Sequence, residues 1–179
     1  MSTPRPLARF ARRCVVAAML GLPAAGTLHA QQDVAKAIAE FEKVDPGIEK
    51  FFATAHGYAI FPSIGKAGFG VGGARGKGYV YERGRLIGRS TLTQVTVGLQ
   101  FGGQAYREVI FFKDKTALDD FTRGSFELSA QATAVALKSG VAANLAYNGG
   151  VAIVTMAKGG LMYEASVGGQ KFSYKPLTR

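Results

Sequence analysis

Between residues 33 and 55 the apolar positions recur at helical spacing; beyond residue 57 they run in short or alternating stretches. In DVAKAIAEFEKVD (33–45), Val34, Ala37, Ile38 and Phe41 form one stripe, the pattern of an amphipathic helix. Lys36, Glu40 and Lys43 lie off that stripe, and Asp33 stands where an N-cap would. DPGIEKFFATA (45–55) predicts a second helix, with Asp45 as its cap and Pro46 at its first position. Ile48, Phe51 and Phe52 supply its apolar side.

After His56-Gly57 the chain reads as strands. YAIFP (58–62), KAGFGVGGA (66–74), GYVYE (78–82), TLTQVTVGLQF (91–101) and YREVIFF (106–112) are the first five. The fourth places Thr93, Val95, Val97, Leu99 and Phe101 on one face. ERGR (82–85) is a tight turn. KDKTALDDF (113–121) predicts one short helix, capped by Asp114, with Ala117, Leu118 and Phe121 inward. FELSAQATAVAL (126–137) alternates, with Phe126, Leu128, Ala130, Ala132 and Ala134 on one side. VAIVTMA (151–157) and LMYEASV (161–167) form a hairpin across Lys158-Gly159-Gly160, and QKFSYK (170–175) follows the Gly168-Gly169 turn. The expected fold is α+β: two N-terminal helices, then an antiparallel meander of about seven to nine strands, curved or barrel-like, with one short inserted helix.

The first thirty residues have another character. MSTPRPLARFARR carries Arg5, Arg9, Arg12 and Arg13 without an acid, CVVAAMLGLPAAG is a short apolar run, and LHA ends at Ala30. This predicts a signal peptide cleaved after Ala30, and an exported protein that is periplasmic or peripherally attached to the cell envelope. Residues 31–179 then form one domain, helical over 31–56 and mainly β over 57–179. The apolar run is too short for a membrane span. Cys14, the one cysteine, begins the apolar run instead of ending it, so a lipoprotein is not expected. The full chain has 22 basic and 12 acidic residues; removing four arginines leaves 18 minus 12, or +6. That charge suits an anionic surface and does not by itself single out lipid.

Gly68-Phe-Gly-Val-Gly-Gly73 matches the dinucleotide pattern G-x-G-x-x-G. That motif requires a helix after it and an acid about 20 residues on. Here turn and strand residues follow, and 83–107 contains no acid, so no nucleotide is expected. As strand residues, Gly68, Gly70 and Gly72 share a face and strip it of side chains, which marks a close approach by another element or by an apolar chain. The region after residue 30 has one histidine, His56, and no catalytic motif or metal-ligand cluster. No catalytic residue, metal or cofactor is expected, and no enzyme. Lys66, Arg75, Lys77, Arg83, Arg85 and Arg89 fall within 24 residues that hold one acid, Glu82. With Tyr79 and Tyr81 on a shared face, these are the candidate lipid-binding residues, basic and amphipathic as a membrane interface requires. Arg75 and Lys77 lie at the opposite end of the predicted hairpin from Arg83 and Arg85.

The pieces AIFP (59–62), KAGF (66–69), RGKGYVY (75–81), VGLQFGGQ (97–104), VIFFKDKTALDDF (109–121), ELSAQA (127–132) and KGGLMYEASVGGQ (158–170) occur in the order found in the SYLF domain, a lipid-binding family of bacteria, yeast and animals. The chain resembles its exported, single-domain bacterial branch. The resemblance implies binding to anionic phospholipids, phosphoinositides in eukaryotic members, without catalysis. No nucleic-acid partner is expected, since secreted basic domains meet anionic lipid or polymer more often. It also implies that an N-terminal amphipathic helix, here 33–44 with Lys36, Phe41 and Lys43, either meets the membrane or packs on the sheet. LIGRST (86–91) departs from a tryptophan-containing segment of the eukaryotic members. Actin binding in some of those members is not carried to this chain. The other reading is an envelope scaffold or protein-interaction module with no lipid dependence and an unidentified protein partner.

Overall fold

Pro62 sits in the most central region of the sheet, where a residue without an N–H has no regular place. The chain accommodates it with a bulge. The structure, a computed structural model, describes residues 25–69, 71–97, 103–124, 126–129, 132, 134–158 and 167–177. Its strands are β1 (Gly57–Phe69), β2 (Val71–Glu82), β3 (Arg85–Val97), β4 (Gly103–Phe112), β5 (Phe126–Glu127), β6 (Val135–Ala136), β7 (Val151–Ala157) and β8 (Lys171–Pro176). They form one eight-stranded sheet in the order β5-β8-β3-β2-β1-β4-β7-β6, curled as a half-barrel. This is the curved α+β architecture that the pattern predicts.

Register shows what the bulge does. Against β2, Ile60 faces Tyr79 but Ser63 faces Lys77; against β4, Phe61 faces Glu108 but Ile64 faces Tyr106. β1 therefore carries one residue more than both neighbours, and the alternation of its side chains inverts. Ala59, Phe61 and Ile64 all join the inner core with Val80, Leu92, Ile110, Phe112 and Phe172. Tyr58 and Ile60 point outward, as does Ser63 beyond the bulge.

β1 and β2 stay paired up to Phe69↔Val71. The segment 66–74, expected as one strand, thus divides between the paired arms of a hairpin, Phe69 facing Val71; Gly70 lies outside the described residues. The helix a dinucleotide site needs is replaced by β2. Arg83 (φ 47°) and Gly84 (φ 76°) are both left-handed and form the tight turn expected at 82–85.

The segment 126–137, expected as one strand, forms only the two-residue strands β5 and β6. β5 pairs with β8 at one edge, whereas β6 pairs with β7 at the other, in parallel. The Leu128 amide donates to Gln170 and the Leu137 amide to Thr155. β5 and β6 lie at opposite edges of the sheet, which one continuous strand cannot reach. Of the expected hairpin 151–157/161–167, β7 forms; residues 159–166 lie outside the described residues.

Helix α1 spans Ala25–Val44. It starts upstream of Asp33, which lies inside the helix instead of capping it, and it runs through the expected cleavage point at Ala30. Residues 1–24 of the expected leader lie outside the described residues. Val34, Ala37 and Phe41 pack in a second core with Ile60, Val109, Phe111, Ala152 and Val154, on the outer face of β1, β4 and β7. The helix therefore packs on the sheet, on apolar side chains and away from the glycine tip. Arg107 of β4 pairs with Glu40 of α1 at 2.5 Å. No helix among the described residues is long and apolar enough to cross a membrane.

Asp45 links α1 to the rest. Its side chain caps the 3-10 turn Pro46–Ile48 by accepting from the Gly47 amide at 3.1 Å. It also accepts from the Ala142 amide, 97 residues away, at 2.7 Å. That turn leads into α2 (Glu49–Thr54), whose Phe52 ring lies 4.9 Å from Phe111. Helix α3 (Lys115–Thr122) is capped by Asp114, as expected, and buries Ala117, Leu118 and Phe121.

The inner core also contains Glu108, fully buried. One of its oxygens accepts from the Gln170 amide at 3.0 Å, and the other has no partner. Burial pushes its carboxyl up from the ordinary 4.5 to about 8, because a charge in apolar surroundings loses its hydration. The folded state then holds a proton that the unfolded chain releases, so stability falls as pH rises through this window.

Two outcomes are expected. Asp45→Ala should lose about 2–4 kcal/mol in urea unfolding, since one helix-turn cap and one buried amide lose their acceptor. Glu108→Gln should remove a slope of at most about 1.4 kcal/mol per pH unit. Its stability relative to the parent should rise between about pH 5 and about pH 8; a pH-independent difference would refute the buried, protonated carboxyl.

Candidate functional site

In an antiparallel pair, residues directly opposite share a face. This rule assembles the predicted cations. Across β2, β3 and β8, one row is Arg75↔Thr93↔Lys171, the next Lys77↔Thr91↔Ser173, and the next Tyr79↔Arg89↔Lys175. All three rows lie on the outer face, since their neighbours Ala74, Val80, Leu92 and Phe172 are in the inner core. Arg75, Lys77, Arg89, Lys171 and Lys175 are exposed, and the one carboxylate that pairs with them among the described residues is Glu127, on Lys171 at 3.6 Å. Val95, on the same face, is 77% exposed.

Three of the predicted cations thus join one surface, and the structure adds Lys171 and Lys175. β8 is remote in sequence, and only its pairing with β3 puts those lysines there. The remaining predicted cations go elsewhere. Lys66 lies past the bulge and faces Ala74 and Gln104, on the inner side. Arg83 occupies the turn at the far end of β2, roughly 26 Å along the strand from Arg75 at about 3.3 Å per residue. Arg85 faces Glu82 and so sits on the opposite side from Tyr79. Tyr81 stacks on Tyr58, with ring centroids 4.9 Å apart and planes at 15°, and is half buried; Tyr79 is partly covered at the edge of the second core.

Of the helix residues, Phe41 is fully buried while Lys36 and Lys43 are exposed. The apolar stripe already has a partner in the sheet, so in this conformation only its polar side faces solvent.

Gly68 and Gly72 face each other across the hairpin, and Gly70 lies outside the described residues. Close packing over glycine is seen further along β2. A side chain at Gly78 would run into the Phe61 ring at 2.5 Å, so this glycine is what leaves room for Phe61 in the inner core.

His56 accompanies Glu82 at 3.1 Å and its side chain is 14% exposed, so it is neither alone nor fully exposed. Asp119 and Asp120 pair with Lys115 and Arg123. No group of three or more histidine, cysteine or acidic residues placed to hold a metal occurs among the described residues.

A family model described as "Ysc84: Las17-binding protein actin regulator" matches residues 93–176. Over 130 residues the chain is 32% identical to beta cell expansion factor A of Aeromonas veronii, an alignment covering 71% of this chain and 49% of that protein. The chain spans about half the length of this curated relative.

Proposed function

The chain belongs to the SYLF family of binding domains, and from that premise we propose that it binds anionic phospholipid surfaces peripherally, without catalysis, at the bacterial cell envelope. The observation that carries this reading is the outer face of β2, β3 and β8. Five cations lie on it in alternating rows with small hydroxyl side chains between them. A rigid sheet spaces them without the entropy cost that ordering five flexible chains would otherwise incur. A cationic outer face with exposed Val95 suits a membrane interface, where headgroup phosphates meet the charges and an apolar side chain enters the boundary.

α1 contributes by staying in place. With Phe41 buried and Arg107 held by Glu40, the helix covers the outer face of β1, β4 and β7 and leaves β2, β3 and β8 open. Contact through the sheet needs no release of the helix.

Reversing Arg75, Lys77 and Arg89 to glutamate should weaken binding to phosphatidylglycerol vesicles by about 100-fold or more, at about 1 kcal/mol per surface cation. The equivalent reversal at Arg83 and Arg85 should cost much less. Binding should fall steeply with added salt. Co-sedimentation of residues 31–179 with vesicles measures all three. Equal losses from the two sets would move the site off this face. Absence of vesicle binding, together with a stable protein partner recovered without lipid, would favour the protein-interaction module.

A further inference from the structure

β8 and β4 are separated in the sheet by β3, β2 and β1, yet one side chain joins them across the interior. Gln170, the residue before β8, donates its amide hydrogens to Glu108 Oε2 at 3.0 Å and to the Tyr106 hydroxyl at 3.3 Å. The three residues before it complete a strap. Val167 is fully buried in the inner core. The Gly168 carbonyl accepts from the Gln94 side chain of β3 at 3.0 Å, and Gly169 is left-handed, with φ 73°. The strap thus spans the inside of the curl from β3 to β4.

Its anchor is a carboxyl without a counter-charge. Glu108 faces Phe61 on β1 and Thr155 on β7. On its own strand the titratable neighbour is Tyr106, whose phenol is pushed up by burial and then by the Glu108 charge, and stays neutral. Helix α3 turns Ala117, Leu118 and Phe121 inward, while its charged residues pair with one another outside. Along the inner side of the strands the next charged groups lie two rows away in either direction, roughly 13 Å at about 3.3 Å per residue. Lys66 is toward the hairpin tip, and Glu82 with His56 and Arg85 is toward the turn. The second oxygen of Glu108 has no partner. An ionised carboxyl here needs water.

The strap is the cheapest way in. β4 has ladders on both sides, with β1 and with β7, and neither neighbour can leave without breaking the sheet. The strap has the Gln170 and Gly168 contacts, the Leu128 amide on the Gln170 carbonyl and the Gly169 amide on the Leu128 carbonyl. A short segment with so few bonds opens before a central strand does. We propose that Val167–Gln170 is a pH-sensitive strap over the interior: it opens locally, its opening releases the Glu108 proton, and rising pH therefore favours the open form. Opening lifts Val167 and Gln170 away and bares the apolar interior beside Leu128 and Phe172.

The sign follows from the two carboxyl environments. The closed form keeps its proton up to about pH 8, whereas a hydrated glutamate keeps it only to about 4.5. Between these values each pH unit favours opening by up to about tenfold; above them both forms are ionised and the effect levels off.

Amide hydrogen exchange of the whole chain from about pH 5 to about pH 9, corrected for the intrinsic rate, tests the strap. The amides of Leu128, Gly169 and Gln170 should exchange by local opening, faster than those of β1 and β2 and indifferent to low urea. Their protection should fall by up to about tenfold per pH unit to about pH 8 and then level off. Glu108→Gln should abolish that slope, and Gln170→Ala should lower the protection of Leu128 and Gly169 even at the acid end. The carboxyl carbon resonance of Glu108 should titrate near pH 8 in the unaltered protein, a measurement that stands even where a variant does not fold. Strap amides as protected as those of β1 and β2 would mean that only global unfolding frees them, and would overturn the strap. Protection that does not change with pH, or a slope that survives in Glu108→Gln, would take the trigger away from Glu108 and overturn the proposal as well.

Discussion

A proline in a central strand forces the geometry on which the rest depends. Pro62 cannot donate to a ladder, and β1 has neighbours on both sides, so no edge is available to it. The bulge resolves this with one additional residue, and everything after it on β1 changes sides. Phe61 and Ile64 both reach the inner core, although they are three residues apart. Ser63 reaches the outer surface beside Lys77. Lys66, which simple alternation groups with the outward cations, goes inward. A substitution that allowed β1 to run regularly would pull Ile64 out of the core and expose it.

The two cores divide the work. The inner one is aromatic, with Phe61, Phe112, Phe121 and Phe172 converging on α3 and the closing strands. It contains buried polar groups centred on Glu108 and Gln170, held neutral by the carboxyl's raised proton affinity. The outer one is built from α1, α2 and the facing side of β1, β4 and β7. Its boundary is electrostatic and directional: Arg107–Glu40 holds the flank of α1, and Asp45 ties its end to the turn at Ala142. By covering one half of the outer surface, α1 defines the half that remains open.

Much of this is written in local pattern. The stripe of Val34, Ala37 and Phe41, the caps at Asp45 and Asp114 and the turn at Arg83-Gly84 each depend on residues within a few positions, and all appear in the structure. The cationic face is only half legible. Arg75, Lys77 and Arg89 belong to one hairpin and its period of two reveals them, but Lys171 and Lys175 reach the face through a pairing of β3 with β8 that no local signal encodes. The exclusion of Lys66 and Arg85 depends on register, which bulges reset without a clear mark in composition; Pro62 is the one readable trace of the first. FELSAQATAVAL alternates like a strand, yet the two edges it must reach are separated by the whole sheet, so tertiary demand overrides the period. The glycines divide similarly: the motif at the tip draws the eye, while Gly78, in RGKGYVY, makes room for Phe61.

β8 lies between β3 and β5, although it comes last of the eight strands along the chain. During synthesis the β1–β2–β3 hairpins can pair as soon as they emerge, but one flank of β3 waits for residues made some eighty positions later. Until then the sheet is open at that flank, and β5 has no strand to pair with. Closure is therefore a late, long-range event. A nascent chain of this kind leaves one flank of β3 unpaired until β8 is available.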